Sequence, residues 1–324
     1  SELIARVENG GCPAVLTGTA PVQRACIGAA VAAGTGRPAV FLCADEREAR
    51  QLAGDLQSLT GQEPVTLLAR EWQFRTNAVA SREWERSRLA ALYRMASGAV
   101  PAVVVTIDAL MTRTLPPQRL AALSVTLRPG DRVELGALTE RLVQAGYSRC
   151  EQVEGVGQFA IRGGILDVFS PLMEQPVRCE FFDDEVDSLG AFDPGTQRRT
   201  ENVSVALLLP AAEVLPGLAP GGPARLAEEL ERLAVKYAKK AETAAVAQTL
   251  RGDAERFRTG AAVEGLDRYL SLIYPDAVCG ADYLPPDAVV FFCEGGRLDQ
   301  RAKNVLLQLH QDTETLMEAG LMAG

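Results

Sequence analysis

The sequence predicts an α/β fold in three stretches: helices layered on a parallel sheet, then a small α+β module, then a return to α/β character. Three observations predict it. Apolar, strand-like runs alternate with helical segments as far as about Leu120. From there to about Leu208, β segments with period-two patterning dominate. A Pro/Gly-rich junction, PAAEVLPGLAPGGP, then opens a helical region that ends on another strand-then-helix pattern. A length of 324 residues suits two or three domains.

The elements follow in order. ELIARVENGG reads as an amphipathic helix ended by glycines, PAVLTG as a short strand, and PVQRACIGAAVAAG as a helix stopped by Gly34. RPAVFLCAD is a buried strand, with Asp45 as the cap of the helix in EREARQLAGDLQSLTG. EPVTLLA is the next strand. SREWERSRLAALYRMASG is a helix with Trp84, Leu89, Leu92 and Met95 near one face. AVPAVVVTIDALMTRTLPP adds a strand buried on both faces, a short helix and a proline stop. In the second stretch, SVTLRPGDRVEL is strand, turn, strand, and GALTERLVQAGYSRC is a helix leading into a strand edge. QFAIRGGILDVFSP and QPVRCEFFDDEVDSLGAFD are β segments. In the third, ARLAEELERLAVKYAKKAETAAVAQTLRG and GAAVEGLDRYLSLIY are helical, and DAVVFFCEGGRLDQRAKNVLLQLHQDTETLMEAG returns to strand and helix.

Composition narrows the function classes. Apolar residues make up 47% and aromatics 6%. No run of eighteen apolar residues occurs, so no transmembrane helix is expected, and no secretory signal pattern is visible. Seven cysteines, an odd number without a CxxC pair, read as reduced thiols of a cytoplasmic protein. One histidine, His310, rules out histidine-rich metal sites. A net charge of −9 argues against a surface coated for DNA, although not against a local basic patch.

The run VLTGTAPVQRA has the outline of a phosphate loop. A working loop needs several glycines, a lysine for the outer phosphates and a hydroxyl for magnesium. Here Gly18 stands alone, Pro21 removes one backbone donor, and Gln23 and Arg24 sit near the lysine and hydroxyl positions. Arg24 could meet an anion. The strand of DAVVFFCEGG ends in Cys293 and Glu294, where an Asp-Glu pair would be expected. Asp183, Asp184, Glu185 and Asp187 read as a solvated turn without defined ligand spacing. No catalytic residue, metal ligand or cofactor is assigned.

One β surface has a different character. In VRCEFF, Val177, Cys179 and Phe181 fall on one side and Arg178, Glu180 and Phe182 on the other. In QFAIRGGILDVF, Phe159, Ile161 and Ile165 fit a core face, with Arg162 opposite and next to Gly163 and Gly164. Arginine beside an exposed aromatic is the mixture of protein-interface hot spots. The alternative is that Phe182 packs under a helix and the arginines pair with Glu180 or Glu154. Nucleic acid fits less well beside four acids in FFDDEVD.

AGYSRCEQVEGVGQFAIRGGILDVFSP and VRCEFFDDEVDSLGAFDPGTQR carry a family resemblance. With them, essentially the whole chain resembles the N-terminal UvrB-like region of the bacterial transcription-repair coupling factors (Mfd), and more distantly the excision-repair helicase UvrB. The resemblance implies a degenerate helicase-like (RecA-like) parallel-sheet domain in two parts, 1–120 and 209–324, with a small α+β UvrA-binding domain, 121–208, between them. It implies a protein-interaction and regulatory module that recruits UvrA through Arg162, Arg178 and Phe182, with a degenerate phosphate loop at Gly18, Gln23 and Arg24. It also implies a full-length ATP-dependent DNA translocase whose motor and RNA polymerase-binding parts lie outside this chain. Two departures from UvrB stand out: there is no Walker lysine, and LLAREWQFRTNAVASREWER leaves no room for a long DNA-gripping hairpin. The alternatives are a weak DNA-binding module using Trp72, Phe74 and Arg75, or a residual nucleotide-binding domain at Gly18 and Arg24.

Overall fold

The computed structural model describes residues 2–69, 82–98 and 100–323, with side chains of the fourth helix described from residue 85. Trp72, Phe74, Arg75 and the Trp84 side chain lie outside the described residues. The chain divides into two compact units. The first comprises 1–71, 91–113 and 278–315; the second comprises 72–90, 114–277 and 316–324.

The first unit is built on a four-stranded parallel sheet, in spatial order Val289–Phe292, Ala39–Cys43, Ala102–Thr106, Val65–Leu67. The strand AVFLC is buried at every position, as a run of apolar residues covered on both faces should be. The helix Pro21–Thr35 lies so close to it that a Cβ on Gly28 would sit 2.0 Å from Cζ of Phe41. Phe41 in turn stacks on Phe291 with ring centroids 5.0 Å apart. Asp45 caps Glu46–Thr60 as expected, its carboxylate accepting the Glu48 N–H at 2.9 Å.

Three features of the structure depart from the sequence expectation. PAVLTG is not a strand: Val15 is exposed, and both neighbours of Ala39–Cys43 are already supplied, by Ala102–Thr106 and by Val289–Phe292. Gly34 does not stop its helix. The Ile4 side chain packs where its Cβ would be, and the helix runs on to a left-handed cap at Gly36 (φ +66°). The helical run after Gly222 is not continuous. Gly222–Tyr237 and Ala244–Thr259 are separate helices that pack on each other, with a turn at Ala241–Thr243 where the Thr243 hydroxyl donates to the Tyr237 carbonyl.

The second unit holds a six-stranded sheet in the order Arg199–Asn202, Glu185–Phe192, Val177–Phe182, Ile165–Val168, Gln158–Arg162, Ser148–Arg149. All its pairs are antiparallel except the last. One face packs on the helix Leu135–Gln144 through Leu138 and Leu142, together with Phe159, Leu166, Val168, Val177 and Cys179. A two-stranded pair, Val125–Leu127 with Ala206–Leu208, joins the same core. The second strand expected in SVTLRPGDRVEL does not form: that arm contributes one isolated bridge, Arg132 to Glu185. Elsewhere in the unit, Arg88 and Glu213 form a buried ion pair at 3.2 Å.

Candidate protein-interaction surface

The other face of the six-stranded sheet carries the arginines. Gln158–Arg162 and Ile165–Val168 are joined through Gly163 and Gly164, so that Arg162 stands directly opposite Ile165 and Ala160 opposite Asp167. Residues directly opposite in an antiparallel pair share a face. Ile165 therefore belongs with Arg162 and not with the core, contrary to the period-two count. The count fails because it runs across a two-residue turn, where the chain reverses and the parity of facing positions changes. Gly163 takes φ +61°, and a Cβ on Gly164 would stand 2.9 Å from the Phe181 carbonyl oxygen.

Two rows of residues cross this face. One runs Ala160, Asp167, Arg178, Gly190; the other runs Arg162, Ile165, Glu180, Ser188. Asp167, with 1% of its side chain exposed, is the hub. Its Oδ1 accepts from Arg178 Nε at 2.7 Å, and its Oδ2 accepts from Arg178 Nη2 and from Arg162 Nη2, both at 2.9 Å. The two bonds to Arg178 form the planar fork that guanidinium and carboxylate make best. Arg178 also lies over the Phe192 ring, 4.9 Å from its centroid, and reaches the Gln197 carbonyl at 3.4 Å. Phe192 belongs to a small outer core with Val153, Ala160 and Phe169. The Asp167 carboxylate keeps the Arg178 guanidinium firmly charged, outweighing the effect of burial. Burial pushes the adjacent Cys179 thiol up.

The expected pairing of these arginines with Glu180 or Glu154 is not what forms. Glu180 accepts from Ser188 Oγ at 2.7 Å and meets Arg199 at 3.5 Å. Arg199 can lie there because Gly190 has no side chain: a Cβ would stand 2.1 Å from Arg199 Nε. Phe182 ends its strand 81% exposed, so it does not pack under a helix. The acids after it form the hairpin turn, with Asp183 at φ +58°, while Arg132 lies 3.5 Å from Glu185. The face thus offers an exposed ring, a half-exposed guanidinium and a rigid support beneath. Sequence reading missed Asp167 and Phe192. The signal available was one acid in the otherwise apolar strand ILDV, a charge that needs a partner when buried.

In the first unit, Gly18 takes φ +73° in a segment without strand pairing. Gln23 Oε1 accepts from the Ala20 N–H at 2.8 Å, which engages the side chain in capping its own helix. Arg24 donates from Nη1 to Glu48 at 2.9 Å and from Nη2 to Glu294 at 2.6 Å. Arg297 meets Asp45 at 2.6 Å and Glu294 at 3.5 Å. The anions that Arg24 contacts are therefore protein carboxylates. Hydrogen bonds and charge from Arg24, the largest cause, and from Arg297 lower the pKa of Glu294, and backbone capping lowers that of Asp45. A cavity of about 120 Å³ beside this cluster is lined by Arg24, Glu48, Cys293, Glu294 and Arg297. His310 lies on the exposed face of the last helix, 3.3 Å from Glu314. Among the described residues, no group of three or more His, Cys, Asp or Glu could hold a metal ion, and no helix is long and apolar enough to cross a membrane.

The model of the UvrB interaction domain family matches residues 125–213, which include the whole six-stranded sheet. The transcription-repair-coupling factor of Bacillus subtilis (strain 168) is 30% identical over 94% of this chain and 26% of its own length. That of Myxococcus xanthus is 37% identical over 55% of this chain and 16% of its own length, and that of Escherichia coli (strain K12) 34% over 54% and 15%. The chain spans about a quarter or less of the length of these relatives. The chain belongs to the bacterial transcription-repair-coupling factor family, as its N-terminal UvrB-like region.

Proposed function

We propose that this chain is a protein-interaction and regulatory module of transcription-coupled repair, and that it recruits UvrA through the face bearing Arg162, Arg178 and Phe182. The observation that carries the reading is the 81% exposure of Phe182 at the end of a strand face that also bears two guanidiniums held on one buried carboxylate. An exposed aromatic on a face that also carries ordered arginines is costly to leave in water and suits a partner that covers it. The family match over 125–213 supports an interaction role for the domain that carries this face.

The reading extends to the rest of the chain. A degenerate helicase-like (RecA-like) domain in two parts, 1–120 and 209–324, contains the strands of the parallel sheet and flanks a UvrA-binding domain at 121–208. It does not hydrolyse ATP, because Arg24 is committed to Glu48 and Glu294. In the full-length protein, cytoplasmic and ATP-driven, other parts engage RNA polymerase and double-stranded DNA. Pull-down of UvrA with this chain tests the proposal. Arg162→Glu and Phe182→Ala should each abolish capture without unfolding the chain, since both side chains are at least half exposed; capture retained by both variants would sink it.

A further inference from the structure

We infer that Asp167 is the positioning residue of the UvrA-facing surface: a buried carboxylate, braced by Arg178, that holds Arg162 in its binding pose. The inference rests on the proposed function and divides the labour among its residues. Arg178 is 20% exposed, its Nε and Nη2 both bond Asp167, its Nη1 reaches the Gln197 carbonyl, and the Phe192 ring lies under it. Three of its five N–H donors are used within the domain. Arg162 differs. It is 52% exposed and makes one bond, from Nη2 to Asp167 at 2.9 Å. Most of the five N–H donors of its guanidinium remain for a partner. Those donors fit a carboxylate or carbonyl acceptor on UvrA, next to an apolar recess for Phe182.

The physical gain is preorganisation. A free arginine side chain has many rotamers, and fixing them on binding costs affinity. Asp167 restrains Arg162 before the partner arrives. It can do so because it is itself immobile: it stands directly opposite Arg178 on the neighbouring strand, diagonal to Arg162, and is gripped by a two-bond fork. Removing Asp167 would leave Arg162 in place in the sequence but loose at the surface.

A binding cycle tests this. UvrA affinity is measured for the chain with Asp167 intact, as Asp167→Asn, and as Asp167→Glu. The last keeps the charge pairing, and so the fold, while displacing the carboxylate. Arg162→Ala and Phe182→Ala are introduced into each background, and thermal melts accompany every variant. With Asp167 intact, Arg162→Ala should weaken UvrA binding about tenfold; in the Asp167→Glu and folded Asp167→Asn backgrounds it should weaken it by less than about twofold. Phe182→Ala should cost the same factor in every background. A purely structural role for Asp167 would leave the Arg162 effect undiminished. That result, or Asp167→Glu binding UvrA like the unaltered chain, overturns the inference while the proposed function stands. An unaltered chain that does not bind UvrA overturns both.

Discussion

Arg24 Nη2 lies 2.6 Å from Glu294 Oε1, although the two residues are 270 positions apart. The contact joins the loop at Gly18–Arg24 to the end of the strand Val289–Phe292, the two places where a nucleotide-hydrolysing site of this layout would need its lysine and its acid. Here a guanidinium and a carboxylate face each other. Glu48, Asp45 and Arg297 extend the cluster.

This pairing predicts that nucleotide titration finds no saturable micromolar binding, and that Arg24→Ala loses stability of about 1 kcal/mol and no nucleotide affinity. The pH dependence has a definite sign. The pKa of Glu294 is lower in the folded chain than its ordinary value, so its contribution is present above the carboxylate range and is lost as pH falls through that lowered value. The stability difference between the unaltered chain and Arg24→Ala should be full at neutral pH and shrink on acidification. Melting curves from neutral pH into the acid range measure it, and a difference that grows in acid would contradict it.

Phe182→Ala should leave folding stability within about 0.5 kcal/mol of the unaltered chain, because little of the ring is buried. UvrA binding should nevertheless fall by more than about tenfold. Chemical denaturation and a binding titration on the same sample separate the two effects.

Two helix glycines should respond in opposite directions to alanine. Gly28→Ala places a methyl into the Phe41 ring and should destabilise by about 1–3 kcal/mol. Gly54→Ala, in the helix Glu46–Thr60, meets nothing within 4 Å and should stabilise by about 0.5–1 kcal/mol. Equal shifts in the two melting temperatures would refute this reading of the helix-to-sheet approach.

The Arg88–Glu213 pair is buried on both sides. Glu213→Gln should cost about 3–5 kcal/mol, since it removes a charge that faces a buried guanidinium. Replacing both partners by apolar residues of similar volume should cost much less. Denaturant midpoints of the single and double variants decide between them.

Much of the architecture was legible in local pattern. AVFLC and AVVVT read as doubly covered strands and are buried accordingly, and Asp45 read as a cap and is one. Arg178 and Phe182 read onto the face opposite Val177 and Cys179, which is where they lie. The errors arose wherever a long-range partner decided. PAVLTG had strand composition but pairs with no strand of the sheet, and its Val15 is left exposed. Ile165 had core parity until the turn at Gly163–Gly164 reversed it.

By itself the sequence determined the alternation of strands and helices, the kinship of the chain with the coupling factors, and which side of VRCEFF the arginine occupies. These follow from local periodicity and from long matching motifs. Tertiary structure alone decided that Arg162 and Arg178 share Asp167 and not Glu180, and that Arg24 turns to Glu294. Each is a choice among several carboxylates within reach of a long, flexible side chain. Strand register and burial make that choice, and neither is written in the residues next to an arginine.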